Sequence, residues 1–172
     1  MSSKLLFVLR HAKSSWDDPG LSDRERPLAP RGRRAAALLA QHVRDSGIAP
    51  AQVLCSPARR TRETLEGLAP GGEVLIEPEL YAANASGIIE RLRRIPEEIG
   101  SVMVIGHNPA LQVLVLRLAG GERAVAGGSE LAEVERKFPT GALATLTLEC
   151  TWSELAPGRA RLAAYVRPKS LA

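Results

Sequence analysis

Aromatic residues are scarce: two Trp, two Tyr and two Phe make up 3% of the 172 residues. That excludes a base-stacking platform of the kind single-stranded nucleic-acid binders use, and it leaves the core to Leu, Val, Ile and Ala. Cysteine is nearly absent. Cys55 and Cys150 stand alone, without metal-ligand spacing or a disulfide framework, so a reduced, cytoplasmic compartment is expected, with both thiols serving as packing. No apolar run reaches 18 residues, and the start, MSSKLLFVLRHAK, lacks a signal peptide's apolar length and cleavage site; no membrane association is expected. Nor is there a block of one charge. The net charge of +4 comes from arginines spread along the chain, which reads as a small anion site plus solvated helix faces, not a nucleic-acid surface. Asp, His and Glu do not cluster at ligand spacing, so no metal and no cofactor are expected.

What is present is an α/β pattern in one domain, residues 1–172. Residues 5–13 read LLFVLRHAK: five apolar residues suited to a strand buried on both faces, stopping abruptly at Arg10 and His11. A long loop follows over residues 13–30, with Trp16, Asp17, Asp18 and the run Arg26-Pro27-Leu28. An Ala/Leu-rich helix is predicted over 32–46 with Gly47 as its stop. Further strands are expected at 51–55, 73–76 and 101–105. Ser56-Pro57 and Asn108-Pro109 look like capped helix starts for helices to Leu68 and Leu118, and another helix is expected at 86–94. After a glycine-rich polar stretch from 120 to 141, with a short helix at 129–137, residues 143–148 and 161–166 read as a hairpin across Pro157-Gly158. Strand–helix alternation followed by a hairpin predicts a three-layer α/β/α sandwich with a mainly parallel central sheet.

Three predicted strands end in chemistry. The first ends in Arg10-His11, the second in Ser56-Pro57-Ala58-Arg59-Arg60-Thr61, and the fourth in Gly106-His107. In open parallel sheets ligands gather at the carboxyl ends of the strands. Taken alone, each end could simply mark a strand's return to solvent. Together they would bring two imidazoles and several guanidiniums onto one rim, beside helix N-termini that favour an anion. The planar fork of Arg suits phosphate, and the other class of reading is a non-catalytic module that binds phosphate or phosphoprotein.

At these residues the chain resembles the histidine phosphatase superfamily, the phosphoglycerate mutase-like fold. Leu9-Arg10-His11-Ala12-Lys13 is similar to its RHG signature. Ser56-Pro57-Ala58-Arg59-Arg60-Thr61-Arg62-Glu63-Thr64 is similar to its S-x-x-x-R-x-x-x-T block, and Gly106-His107-Asn108-Pro109 to its second-histidine block. Arg26-Pro27-Leu28-x-x-Arg31-Gly32 and Phe138-Pro139-Thr140-Gly141 resemble the phosphohistidine phosphatase (SixA-type) branch. The chain departs from the pattern at Ala12, where the superfamily has glycine, and at Asp17, where it commonly has a phosphate-binding Asn.

The resemblance implies transfer through a phosphohistidine, with His11 as nucleophile and Arg10, Arg60 and His107 holding the phosphoryl oxygens. Arg26, Ser15 and Asn108 are further candidate phosphate ligands, each with a structural role as the alternative. Arg59 is expected to face solvent. The implied general acid is Glu79, after the third strand, with Asp17 as its rival. The expected substrate is a phosphorylated protein or a small phosphate ester. A mutase that moves phosphoryl groups between positions stays open, as does the binding module.

Overall fold

The computed structural model describes residues 3–120 and 129–172. The glycine-rich stretch expected from 120 to 141 therefore lies in part, at 121–128, outside the described residues. Among the described residues six strands form one sheet: β1 Lys4–Arg10, β2 Gln52–Cys55, β3 Glu73–Ile76, β4 Ser101–Gly106, β5 Leu143–Leu148 and β6 Ala160–Val166, in the order β3-β2-β4-β1-β5-β6. The four on one side run parallel; β5 and β6 are antiparallel. The mainly parallel sheet and terminal antiparallel pair match the expectation.

The apolar run of β1 alternates across the sheet, as strand geometry requires. Leu6 and Val8 face a core completed by helices α3 Ala85–Arg93 and α4 Ala110–Gly120, together with Val134 of α5 Glu130–Arg136. Phe7 and Leu9 face a second core shared with α1 Pro30–Ser46 and α2 Arg59–Leu68. Two cores on opposite faces make the three layers. Each fully buried leucine contributes roughly 1.5–3 kcal/mol. Along α1 the buried residues are Gly32, Ala36, Leu39, Ala40 and Val43, one stripe at helical spacing.

Three sequence expectations shift. Ser56 is not an N-cap: α2 begins at Arg59 after an Ala58 cap that lends no side-chain hydrogen bond. α1 starts at Pro30, two residues early, because proline's fixed φ suits a first helical position. The β5–β6 connection is also no tight turn. It carries a 3-10 turn, Trp152–Glu154, whose fully buried Trp152 donates from Nε1 to the Ile99 carbonyl at 2.7 Å.

Candidate active site

The sheet register brings the three strand ends level. Leu9 pairs with Ile105 and Arg10 with Gly106 across β1–β4, while Cys55 pairs with Ile105 across β2–β4. The next residues, His11, Ser56 and His107, therefore leave the sheet side by side. Main-chain bonds pin this rim: His11 N–H donates to the Gly106 carbonyl at 3.1 Å, and Gly141 N–H to the carbonyls of Arg10 and His11. The rings of His11 and His107 lie 5.5 Å apart, centroid to centroid.

His11 is buried, and its Nδ1 lies 2.7 Å from the Ala12 carbonyl. A carbonyl can only accept, so Nδ1 carries the proton and Nε2 keeps its lone pair. Burial pushes the imidazole down to about 3; the bond to Ala12 opposes this, and His107, Arg60 and Arg10 reinforce it. A neutral ring with a free Nε2 is the nucleophilic form. The block from Ser56 to Thr64 explains itself here. Arg60 and Thr64 are four residues apart on α2 and share a face. Arg60 reaches the pocket, while the Thr64 hydroxyl accepts from Ala12 N–H at 3.0 Å and ties the helix to the loop that follows His11.

His107 lies with Nε2 2.7 Å from the Ser56 hydroxyl and Nδ1 3.5 Å from Arg60 Nη2. Since a guanidinium only donates, Nδ1 is the acceptor and Nε2–H points to Ser56. Burial, followed by Arg60, lowers His107 to about 4, with Asp23 pulling the other way. Arg10 donates to the Phe138 carbonyl at 3.1 Å, which also accepts from Asn108 Nδ2 at 3.0 Å. The Nε groups of Arg10 and Arg60 are buried and have no hydrogen-bond partner among the described residues. Buried N–H groups of this kind on two cations suit an oxyanion. Arg10, His11, Lys13, Ser14, Trp16, Arg26, Arg60, His107, Asn108 and Thr140 enclose a pocket of about 250 Å³.

The remaining candidates divide. Arg26 is buried against the loop: it donates to Ser14 Oγ at 2.8 Å, pairs with Asp23 at 3.1 Å and stacks 3.4 Å over the Trp16 ring. It anchors the loop and also lines the pocket. Ser15 accepts from Asp17 N–H and shapes a turn, whereas the neighbouring Ser14 is the one that lines the pocket. Asn108 accepts from Gln112 N–H, so it caps α4 while bordering the pocket. Arg59 pairs with Glu63 at 3.3 Å, away from the pocket. Neither proposed acid is brought to His11. Asp17 is exposed, and Glu79 borders a separate hollow with Arg91 and Arg94. The 3-10 turn Pro78–Tyr81 is the reason: it buries Leu80 and turns Tyr81 toward His107, leaving Glu79 outward.

The carboxylate that does reach the site is Asp23, which sequence reasoning missed. Its Oδ2 accepts from Arg60 Nη2 at 3.1 Å and from the Tyr81 hydroxyl, and its main-chain carbonyl accepts from Arg60 Nη1 at 2.7 Å. The Tyr81 bond first, then Arg60 and Arg26, hold its carboxyl down at about 2. The available signal was the Asp23–Arg26 spacing of three, together with the need of a buried Arg60 for a counter-charge. Cys55 plays no part, since burial pushes its thiol up to about 12.

A strand-end histidine with an unprotonated Nε2, a second imidazole and two buried guanidiniums thus surround one small pocket whose charge suits an oxyanion. The model of the histidine phosphatase superfamily (branch 1) matches residues 6–85, and the chain belongs to this superfamily. Among individual proteins it is similar to the phosphohistidine phosphatase SixA of Escherichia coli, 31% identical over 152 residues, 84% of this chain and 85% of that one. Solved structures share the fold, two of them with clear sequence similarity as well. One, from Nakamurella multipartitia and assigned to SixA, is 29% identical with a TM-score of 0.86 over 98% of each chain. The other, the protein histidine phosphatase SixA complexed with tungstate, is 26% identical with a TM-score of 0.78 over 98% of this chain and 99% of that one.

Proposed function

We propose that this protein hydrolyses phosphohistidine in other proteins through a covalent phosphohistidine on His11. The observation that carries the reading is the His11 ring, neutral and fixed by the Ala12 carbonyl with Nε2 free beside two buried guanidiniums. His11 Nε2 attacks phosphorus in line and forms an N–P bond as the substrate's own N–P bond breaks. The departing imidazole, protonated from water on its distal nitrogen, leaves neutral. Water then cleaves the N–P bond on His11 and releases phosphate. Arg10 and Arg60 stabilise the equatorial oxygens in both steps, and His107 contributes once its Nδ1 takes a proton beside the phosphoryl group. The binding of tungstate, a phosphate-like oxyanion, by a similar protein supports this use of the pocket.

The leaving group supports the phosphohistidine choice. An alkoxide needs a well-placed acid. Glu79 and Asp17 lie elsewhere, and Asp23 is held as a carboxylate by Tyr81, Arg60 and Arg26. A second reading, a small phosphate monoesterase, draws on a hollow of about 380 Å³ that shares His107 and Asn108 with the pocket and includes Tyr81 and Val113. A cytoplasmic location is proposed from the two free thiols, Cys55 and Cys150.

The test compares kcat/KM on a phosphohistidine peptide, an aryl phosphate and 3-phosphoglycerate. The peptide should rank first and 3-phosphoglycerate last. Preferred turnover of alkyl phosphate esters would replace this reading with the second one. Rapid quench without acid and peptide mapping should find the label on His11, and His11→Ala should be inactive; label elsewhere would overturn the mechanism.

A further inference from the structure

Lys13 and Thr140 line the pocket around His11, and both also line a second hollow of about 210 Å³. Among the described residues, the other charged ones on that hollow are Arg31, Lys137, Arg167 and Lys169: with Lys13, five cations and no carboxylate. Among the described residues none of the five is in an ion pair. At the Tyr165 end of β6, Glu130 of α5 accepts from Tyr165 N–H, and it does not line the hollow. Like charges gathered this way repel one another and attract anions.

Main-chain packing holds the cluster together. Gly32 lets the first turn of α1 rest on the Lys13 carbonyl, where a Cβ would lie 2.0 Å from that oxygen, so Arg31 and Lys13 are neighbours by construction. Gly141, at φ +78°, packs against Pro168, where a Cβ would meet Cγ at 2.6 Å. This sets Thr140 beside the segment carrying Arg167 and Lys169. The first turn of α1 contains no acidic residue to offset the charge.

We propose that this hollow receives the acidic side chains that flank the phosphorylated residue of a substrate protein. The proposal rests on the protein-substrate reading above. A carboxylate or a second phosphate would satisfy the same cations. Charge complementarity and continuity with the catalytic pocket favour a protein's acidic surface: a phosphorylated imidazole at His11 leaves its own backbone at the rim, and Lys13 and Thr140 lead from there into the hollow. Such complementarity steers encounter and fixes orientation.

The experiment uses two phosphohistidine peptides, flanked by Asp and Glu or by Asn and Gln, with p-nitrophenyl phosphate and a sugar bisphosphate as small substrates. Wild-type kcat/KM should favour the acidic peptide by about tenfold, and the preference should shrink in high salt. The charge reversal Lys137→Glu with Lys169→Glu, at two exposed positions, should remove that preference while changing p-nitrophenyl phosphate turnover less than about twofold. Equal rates on both peptides, with phosphohistidine still hydrolysed, would overturn the hollow's role and leave the phosphohistidine reading standing. If neither peptide is hydrolysed while p-nitrophenyl phosphate is, both readings fall. A charge-reversal effect confined to the bisphosphate would assign the hollow to a second phosphate and overturn the proposal.

Discussion

The sheet rim and the tip of the loop over residues 13–30 face each other across one pocket and are held in different ways. The rim supplies His11, Arg10 and His107, with Arg60 from α2 behind it, all beside backbone that is bonded strand to strand or to its neighbours. The loop supplies Asp23, Arg26 and Trp16; main-chain bonds join its two ends, from Ser15 N–H to the Pro27 carbonyl and from Ala29 N–H to the Lys13 carbonyl, and side-chain contacts hold its tip: Asp23 to Arg60, Arg26 to Asp23, Arg26 on Trp16. The Arg60 side chain is only 8% exposed, whereas that of Asp23 is 48% exposed. The rim is thus fixed, and the loop rests on it through bonds that an incoming phosphoryl group can compete for. An ion pair with one half-exposed partner is worth on the order of 1 kcal/mol, small enough for a phosphoryl group arriving at Arg60 to displace the carboxylate.

The largest test of that contrast is Arg60 against its neighbour. Arg60→Ala should lower kcat by about 10²–10³, the cost of losing a transition-state donor, and Arg59→Ala by less than about threefold. Steady-state kinetics on an aryl phosphate reads both, and exchanged effects would mean that the rim is misidentified. A smaller effect is expected on the loop side. Asp23→Asn removes the carboxylate that competes for Arg60, so inhibition by inorganic phosphate should tighten by roughly two- to fivefold while kcat falls less than about tenfold. A loss in kcat as large as that of Arg60→Ala would make Asp23 part of the fixed machinery and abolish the contrast.

The pH dependence sharpens it least but separates the two sides. His11 and His107 are depressed to about 3 and about 4, below the ordinary imidazole value near 6.5, so the unfolded chain binds protons that the folded one refuses. Stability should therefore decline as pH falls from about 6.5 toward 4 and 3, with the rim responsible. Asp23, depressed to about 2, contributes stability above the ordinary carboxyl value near 4 and loses it between about 4 and 2. Urea midpoints across this range should fall first through the histidine window. The acid limb of kcat/KM should lie below about pH 5; a limb near 6.5 would contradict the buried, neutral His11.

The same contrast explains what could be read in advance. The rim was legible because a continuous apolar strand ending in Arg-His or Gly-His depends on local pattern and strand order alone. The loop was not. Asp17, Asp18, Asp23 and Glu25 are four similar carboxylates within nine residues, and only the tertiary approach of Arg60 and Tyr81 selects Asp23. Glu79 failed for a narrower reason: in a 3-10 turn, one position decides which side chain faces inward, and Leu80 and Tyr81 took that side. Ser56 was misread because a serine before a proline looks like a cap, yet its hydroxyl orients His107 instead.

The bond that sets the tautomer of His11 ends on the main chain of Ala12. Where a side-chain carboxylate orients a histidine, one codon change removes the orienting group. Here every residue that can occupy position 12 carries the same carbonyl, so genetic drift cannot delete it without moving the chain. Ala12, where the superfamily signature has glycine, is an instance of that tolerance. The proton's address on His11 is inherited with the fold.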